Sequence, residues 1–315
     1  MFALRGIAVS LTFFVLLYSI LSALVSISWR SLRWLRATEK NLADLLFLTR
    51  ILPLLASLLI TLAFVVPSFQ LLEPRSIDED MGALPVALGI AALFLIGWGC
   101  YRVITAQLRT WHIVSRWLDG SQPLYWEGQP PALRSRREAP PLIVVGMRKP
   151  RVLVSDSTLN LLTQNELQIA LEHELAHVRS RDNLKKLVFR FSPFPGMAKL
   201  EAAWSQAAEL AADDAAVSNV NDAVDLAAAL VKLSRLVSLD GPVDEAPACT
   251  IGFVTGSVTA RVTRLLAWSE SRKPSHTRIS QWAVLPPLVV AAFCLFVTYG
   301  SVLVATHQLT EWLVR

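Results

Sequence analysis

Long runs of hydrophobic residues divide the chain into membrane-spanning and polar parts. Four runs are long and uncharged enough to cross roughly 30 Å of hydrocarbon, at about residues 6–28, 51–72, 82–104 and 282–307. The polar region of about 105–281 is long enough for one domain with its own core. We therefore predict an α-helical membrane protein with four transmembrane helices, three of them within residues 1–104. The polar domain is inserted before the fourth, and a short outer tail follows at 308–315.

The composition agrees with this division. The 315 residues are 53% hydrophobic and only 17% charged, which is too apolar for an ordinary soluble globular protein. The formal net charge of +5 raises the question of nucleic-acid binding, but much of the excess lies beside the hydrophobic runs and no recognition motif accompanies it. We expect the lipid bilayer as a partner and no direct contact with nucleic acid. The oligomeric state stays open.

Charged residues between the hydrophobic runs predict the orientation of the chain. Arginine and lysine dominate the loop after the first run, whereas the loop after the second, from Glu73 to Asp80, is acidic. Because basic loops stay in the cytoplasm, both termini are expected outside and the polar domain inside. The first run could also be a cleaved signal peptide, but it is longer than the hydrophobic core of a typical signal peptide and a basic cluster follows it, which favours an uncleaved span.

One motif in the polar region has a spacing that indicates a specific chemistry, His173-Glu174-Leu175-Ala176-His177. On a helix, residues four apart lie on the same face, so two imidazoles can hold one Zn²⁺ while Glu174 acts as the general base. This is the pattern of the active-site helix of a zinc peptidase. Thr163 and Glu166 form a capping box upstream and start the helix about two turns before the motif. We predict one Zn²⁺ per chain, bound by His173 and His177.

A third metal ligand must come from elsewhere, since catalytic zinc sites typically have three protein ligands. The alanine-rich segment 202–217 predicts a helix with Glu209 and Asp213 one turn apart on one face. We assign Glu209 to the metal and Asp213 to a hydrogen bond with a ligand histidine. An acidic surface patch is the alternative. Asp182, shortly after His177, is expected either to support the local structure or to contact a ligand histidine as well.

Two short β-branched runs precede the zinc helix. Residues 142–145 and 151–155 flank a turn-like segment and predict a hairpin, which gives the domain an α+β, zincin-like character. Zinc peptidases of this class commonly bind an extended substrate along the edge of a small sheet. Val152, Leu153 and Val154 are therefore a candidate substrate-binding edge strand. A purely structural hairpin is the alternative.

With these residues in view, the chain resembles a family, the integral-membrane zinc peptidases of the BlaR/MecR antirepressor type. The resemblance rests on the segments Gly146–Val154, Glu166–Asp182 and Glu209–Val217, and on the order of three spans, protease domain and fourth span. It implies His173, His177 and Glu209 as zinc ligands and Glu174 as the catalytic residue. It also implies location in the bacterial inner membrane. No penicillin-binding sensor domain follows the fourth span in this sequence, so β-lactam sensing is not expected.

The resemblance implies an endopeptidase that cleaves a cytoplasmic protein, typically a DNA-binding transcriptional repressor, or itself, in regulated signalling. Two alternatives stay open. Membrane quality-control zinc proteases of the heat-shock and prenyl-protein type share the motifs, although they usually place their spans differently. A non-proteolytic membrane signalling scaffold is the other, and an intact Glu174 argues against it because a structural zinc site needs no general base.

Overall fold

The computed structural model describes residues 2–34, 38–74, 82–124, 132–135, 140–145, 151–239, 251–252, 258–268 and 297–312. This part of the chain is mostly helical and contains a small sheet. Three helical stretches are long and apolar enough to cross a membrane, Phe2–Leu32, Glu39–Leu72 and Ala83–Leu118. The fourth span predicted at 282–307 lies mainly outside the described residues, of which 297–312 form a helix.

The N-terminal elements are α1 (Phe2–Ser28), α2 (Glu39–Ile60), α3 (Val66–Leu72) and α4 (Ala83–Leu118), with a 3₁₀ segment at Trp29–Trp34 and a π-helical turn at Thr61–Val65. The strands are β1 (Gln122–Leu124), β2 (Ala132–Ser135), β3 (Leu142–Val145), β4 (Arg151–Ser155) and β5 (Ile251–Gly252). The later helices are α5 (Asp156–Leu161), α6 (Gln164–Ser180), α7 (Asp182–Phe191), α8 (Ala198–Ala216), α9 (Val220–Leu239) and α10 (Val258–Leu266).

The described contacts divide the chain into two compact units. The first comprises Met1–Arg30, Ile51–Trp98 and Pro274–Arg315, and the second comprises Ser31–Arg50 and Gly99–Lys273. Inside the first unit, polar side chains link the apolar helices: Thr12 donates to the Pro85 carbonyl at 2.9 Å and Tyr299 donates to the Ala63 carbonyl at 2.8 Å. Large apolar side chains such as Leu59 and Phe94 are exposed, as expected of helices that face lipid.

The second unit is built around a five-stranded sheet with the order β1-β2-β4-β3-β5. The pairs β1–β2, β4–β3 and β3–β5 are antiparallel, whereas β2 and β4 are parallel. The hairpin of β3 and β4 confirms the interpretation of the two β-branched runs. Strand β4, however, has a hydrogen-bonded neighbour on each side, and the side chains of Val152, Leu153 and Val154 are buried. The prediction that these three residues form an edge strand is therefore wrong.

Side chains alternate between two layers across this sheet. Leu142, Val144, Val152 and Val154 face a core formed with α6, α9 and α10, which includes the fully buried Leu226. The opposite face packs against the end of α4, where Ile143, Val145 and Leu153 meet side chains that include Val114 and Trp117. The last turns of α4 therefore cover the sheet, which explains why this helix runs on to Leu118, well beyond the span predicted at 82–104. It ends before Gly120, whose φ of +74° is left-handed.

The first turns of α2 belong to the second unit, although the second span was predicted to begin near residue 51. Arg50, only 1% exposed, donates to Glu201 at 2.8 Å, to the Ser192 carbonyl at 2.6 Å and to the Phe189 carbonyl at 3.4 Å. Lys185 donates to Asp44 at 3.1 Å. These contacts fix residues 39–50 against α7 and α8. Helix α2 therefore begins about three turns before the apolar run at residue 51.

Gly99 of α4 lies against the end of α7 so closely that a side chain has no room. A Cβ built on Gly99 would lie 2.1 Å from the Phe191 carbonyl oxygen, whereas one on Gly97 would have nothing within 4 Å. We expect Gly99→Ala to destabilise the protein by about 1–3 kcal/mol because backbone must move, and Gly97→Ala to be neutral or slightly stabilising. Thermal unfolding of the two variants in detergent compares them, and equal melting temperatures would contradict this packing.

Candidate metal centre

Helix α6 carries the His-Glu-x-x-His motif and has a well-defined start. Thr163 accepts from the Glu166 backbone N–H at 3.3 Å, and the Glu166 carboxylate accepts from the Thr163 N–H at 2.8 Å. Lys232 of α9 contacts the same carboxylate at 2.7 Å. The predicted capping box is confirmed. It fixes the start of α6, and His173, Glu174 and His177 are then buried along its inner face.

The end of α6 positions a partner for His177. Arg181 adopts a left-handed conformation, φ 55° and ψ 38°, which stops α6 and lets α7 begin at Asp182. This turn brings the Asp182 carboxylate back to His177, whose Nδ1 lies 2.7 Å from Asp182 Oδ2. Because Asp182 lies at Nδ1, the Nε2 atom of His177 points away from it, toward Glu209 3.7 Å away and the position that a metal would take.

Helix α8 brings Glu209 to the two histidines. Its buried face is rich in alanine, including Ala207, Ala208 and Ala212, so its backbone can approach α6 closely. Glu209 Oε2 lies 3.6 Å from His173 Nε2, and Glu209 Oε1 lies 3.7 Å from His177 Nε2. The two imidazole rings are nearly perpendicular, with centroids 4.9 Å apart.

The residues present fit a zinc ion. Ligand atoms each about 2.0–2.2 Å from a tetrahedral Zn²⁺ lie roughly 3.3–3.5 Å from one another, close to the separations seen here. The atoms that His173, His177 and Glu209 offer all lie within 4.8 Å of one another, and all three residues are buried. His177 Nε2 is buried, and no residue in the described part of the chain forms a hydrogen bond with it. Two imidazoles and one carboxylate are a donor set that suits zinc, so this group could bind a metal ion.

Asp213 lies on α8, one turn after Glu209, and contacts His173, the other histidine of the motif. Its Oδ1 is 3.0 Å from His173 Nδ1, and its side chain is fully buried. The structure therefore gives each histidine a carboxylate at Nδ1, Asp213 for His173 and Asp182 for His177. This arrangement fixes both rings with Nε2 toward Glu209.

Arg261 of α10 is the residue of this cluster that sequence reasoning missed. It donates to Asp213 through Nε at 2.9 Å and Nη2 at 2.6 Å, and to Glu209 Oε2 through Nη1 at 2.9 Å. Its Nη2 also lies 3.4 Å from His173 Nε2. The guanidinium, 3% exposed, compensates two buried carboxylates and fixes their spacing. One signal was present in the sequence: Arg261 shares a helix face with Val258, Val262 and Leu265, which pack into the core.

Glu174 differs from the other charged residues of the cluster because its carboxylate has no hydrogen-bond partner among the described residues. Both oxygens are buried, and the residue is fully inaccessible. Burial raises the pKa of Glu174 to about 7, although the two histidines and Arg261 act in the opposite direction. A carboxyl group with a pKa near neutrality can both take up and release a proton at physiological pH, as a general base requires.

The candidate ligand residues carry opposite charges that stabilise one another. Burial by itself lowers the pKa of His177, but the carboxylates of Glu209 and Asp182 outweigh it and raise the pKa to about 10. Burial by itself would raise the pKa of Glu209, yet the charges of His177 and Arg261 hold it well below its usual range. Glu209 is therefore ionised at neutral pH and ready to bind a cation.

Replacing Asp182 tests its part in positioning His177. We expect Asp182→Ala to weaken zinc binding by about 10–100-fold, because His177 loses the acceptor that fixes its ring. Competition with a chelating dye measures the zinc dissociation constant. Lys185→Ala is the matched control, since it removes the ion pair of Lys185 Nζ with Asp182 Oδ1 at 3.6 Å and leaves the contact with His177. An unchanged dissociation constant in Asp182→Ala would contradict this role.

Residues 143–203 match the model of peptidase family M48. The match includes β4, α6 with its motif, and α7, and it ends before Glu209. It supports a zinc metallopeptidase family, and with the three apolar helices it supports a membrane-associated metalloprotease. The narrower resemblance to the BlaR/MecR type stays an interpretation. No curated protein and no solved structure matches the chain.

Proposed function

We propose that the protein is a membrane-embedded, zinc-dependent endopeptidase that cleaves a cytoplasmic protein or itself. The observation that carries this proposal is the arrangement around Glu174. Two imidazoles and a carboxylate converge on one point, and a buried carboxylate without a partner lies beside them. A structural zinc site needs ligands but no such base, so the non-proteolytic scaffold is the weaker alternative.

Each residue of the cluster has a role in this proposal. His173, His177 and Glu209 hold the zinc, and bound Zn²⁺ supplies Lewis-acid activation of water and of the scissile carbonyl. Glu174 accepts a proton from the attacking water and delivers it to the leaving amine. Asp182 fixes the ring of His177 by accepting from its Nδ1, and Asp213 holds His173 through the contact of its Oδ1 with Nδ1 at 3.0 Å. Arg261 fixes Asp213 and Glu209 by donating to both.

We further propose that the second unit lies in the cytoplasm of a bacterial cell and that the two termini lie outside. The distribution of basic and acidic residues around the apolar helices supports this orientation. A regulated substrate, such as a DNA-binding repressor, fits the resemblance to the antirepressor peptidases. General membrane quality control uses the same chemistry and differs in the substrate.

Hydrolysis of an unfolded reporter protein tests the activity. Purified protein in lipid nanodiscs is incubated with labelled casein, first with zinc, then after removal of zinc by a chelator, and then with zinc restored. We expect cleavage with zinc, no cleavage after the chelator, and cleavage again once zinc is restored. Stoichiometric zinc without cleavage of any candidate protein would favour the scaffold alternative. Quantitative proteomics of cells with wild-type protein and with Glu174→Gln then identifies the substrate as a cytoplasmic protein that accumulates in the variant.

A further inference from the structure

A cavity of about 400 Å³ lies in a part of the second unit to which the proposed reaction assigns no role. It is bordered by α7, the start of α8 and Arg102 of α4. Its lining contains three cationic side chains, Arg102, Lys186 and Arg190, together with three aromatic rings. Glu201 is the carboxylate among the lining residues. The cavity therefore combines positive charge with apolar walls.

The three cations of this cavity have no direct ion-pair partner in the described part of the chain. Glu201 already forms an ion pair with Arg50, with Nε to Oε1 at 2.8 Å. The side chains of Arg102, Lys186 and Arg190 make no ion pair or hydrogen bond with any described residue. Lys186 and Arg190 are one helical turn apart, where like charges repel each other. An anion bound between them relieves this repulsion and gains charge-assisted hydrogen bonds.

Trp204 gives a second, independent observation. Its side chain lines the cavity and is 2% exposed, and its indole Nε1 is buried without a hydrogen-bond partner. An indole N–H can only donate, and a buried donor without an acceptor costs about 1–3 kcal/mol. Because this nitrogen has almost no accessible surface, the indole must turn toward the cavity before a ligand oxygen there can supply the acceptor. The donor and the cations thus indicate the same ligand chemistry, an anionic oxygen group.

Residues of the cavity share two helix faces with residues of the candidate metal centre. On α7, Asp182, Lys186 and Arg190 follow one another at intervals of four residues and so share one face. On α8, Glu201, Ser205 and Glu209 do the same. The cavity therefore begins one helical turn from the residues that contact His177.

The charges of the metal centre are felt inside this cavity. Burial lowers the pKa of Lys186, and the carboxylates of Glu209, Asp182 and Glu174 partly oppose this shift. Lys186 therefore lies within electrostatic reach of the catalytic cluster.

We propose that this cavity is a specificity subsite that binds an acidic side chain of the protein substrate. This inference rests on the proposed peptidase function and names a substrate class for it. Lys186 and Trp204 donate hydrogen bonds to the substrate carboxylate, and Arg102 and Arg190 add positive charge. The aromatic walls pack against the aliphatic part of the same side chain. Substrates with Glu or Asp at one fixed position near the cleaved bond are preferred over those with Gln or Asn.

A set of quenched fluorescent peptides tests the preference. The peptides are derived from a cleaved sequence of casein and carry Glu or Gln at each position in turn. Wild-type protein is expected to favour Glu at one position by about tenfold or more in kcat/KM, chiefly through KM, as one charge-assisted hydrogen bond provides. Lys186→Gln brings this ratio close to one, Lys186→Arg retains most of it, and Arg235→Gln, an exposed control on α9, leaves it unchanged.

A binding measurement separates this inference from the peptidase activity. Fluorescence anisotropy compares the same Glu and Gln peptides bound to Glu174→Gln and to the double variant Glu174→Gln with Lys186→Gln. Tighter binding of the Glu peptide to the first protein alone supports the subsite, even if no peptide is cleaved and the proposed function fails. Equal binding of both peptides, or a preference that survives Lys186→Gln, overturns it. Competition by glycerol 3-phosphate without any effect of acidic peptides also overturns it, in favour of a lipid headgroup site.

Discussion

Glu174→Gln is expected to lose nearly all hydrolysis while it retains a full complement of zinc. Glutamine has almost the same size and shape as glutamate, but its amide cannot take a proton from water. The loss of a general base corresponds to a factor of about 10²–10⁴ in kcat. Glu174 lies outside the group of His173, His177 and Glu209, so the metal is held as before. Elemental analysis of the purified variant gives its zinc content, and cleavage of labelled casein gives its hydrolysis rate.

Glu172→Gln is the matched control for this variant. Glu172 is two residues away on the same helix, and its carboxylate accepts from Arg179 at 2.7 Å at the protein surface. A surface ion pair of this kind contributes at most about 1 kcal/mol, so Glu172→Gln should keep both zinc and activity. Undiminished cleavage by a pure preparation of Glu174→Gln would refute the assignment of Glu174 as the base.

Glu209→Ala is expected to lose the zinc itself. The variant removes one of three converging ligands and leaves two histidines, which are too few for a stable catalytic site. It also removes an acceptor of Arg261, which stays bound to Asp213 through Nε and Nη2. The loss therefore falls on the metal more than on the packing of α10. Zinc content should fall from about one per chain to near zero, with activity lost in parallel.

Asp214→Asn is the control for Glu209→Ala. It shows whether zinc is lost because Glu209 is a ligand or because any carboxylate on α8 has been removed. Asp214 is partly buried and accepts from Arg264 at 2.7 Å, on the same helix as Glu209. Zinc content in Asp214→Asn should equal that of the wild type. If Glu209→Ala retained one zinc per chain after dialysis against a weak chelator, Glu209 would not be a ligand, and another residue would have to complete the site.

Much of the candidate site could be predicted from sequence because its residues lie on regular helices. The spacing of His173 and His177, and of Glu209 and Asp213, is one helical turn, and helical geometry alone places each pair on one face. The capping box at Thr163 and Glu166 is equally local, since both residues lie within the first turn. The hairpin of β3 and β4 is a contact between neighbouring segments. Such short-range features depend on few long-range contacts.

The errors and omissions concern contacts between distant segments. Val152, Leu153 and Val154 were expected at a sheet edge, but β2 pairs with β4 in parallel after a connection that no local pattern predicts. Arg261 donates to Asp213, which lies 48 positions away in the chain, and no sequence pattern near Arg261 predicts this pairing. The first turns of α2 likewise belong to the second unit because Arg50 meets Glu201 across 151 positions.

The sequence by itself determined the apolar helices, the metal-binding motif and the face on which each ligand lies, because helical periodicity and burial of apolar surface act along the chain. Only the tertiary structure decided which residues complete the candidate metal centre and balance its charges. It also decided which strands lie at the edges of the sheet and where the cavity lies. A buried charge requires a partner in space, and the chain can supply that partner from any distance along the sequence.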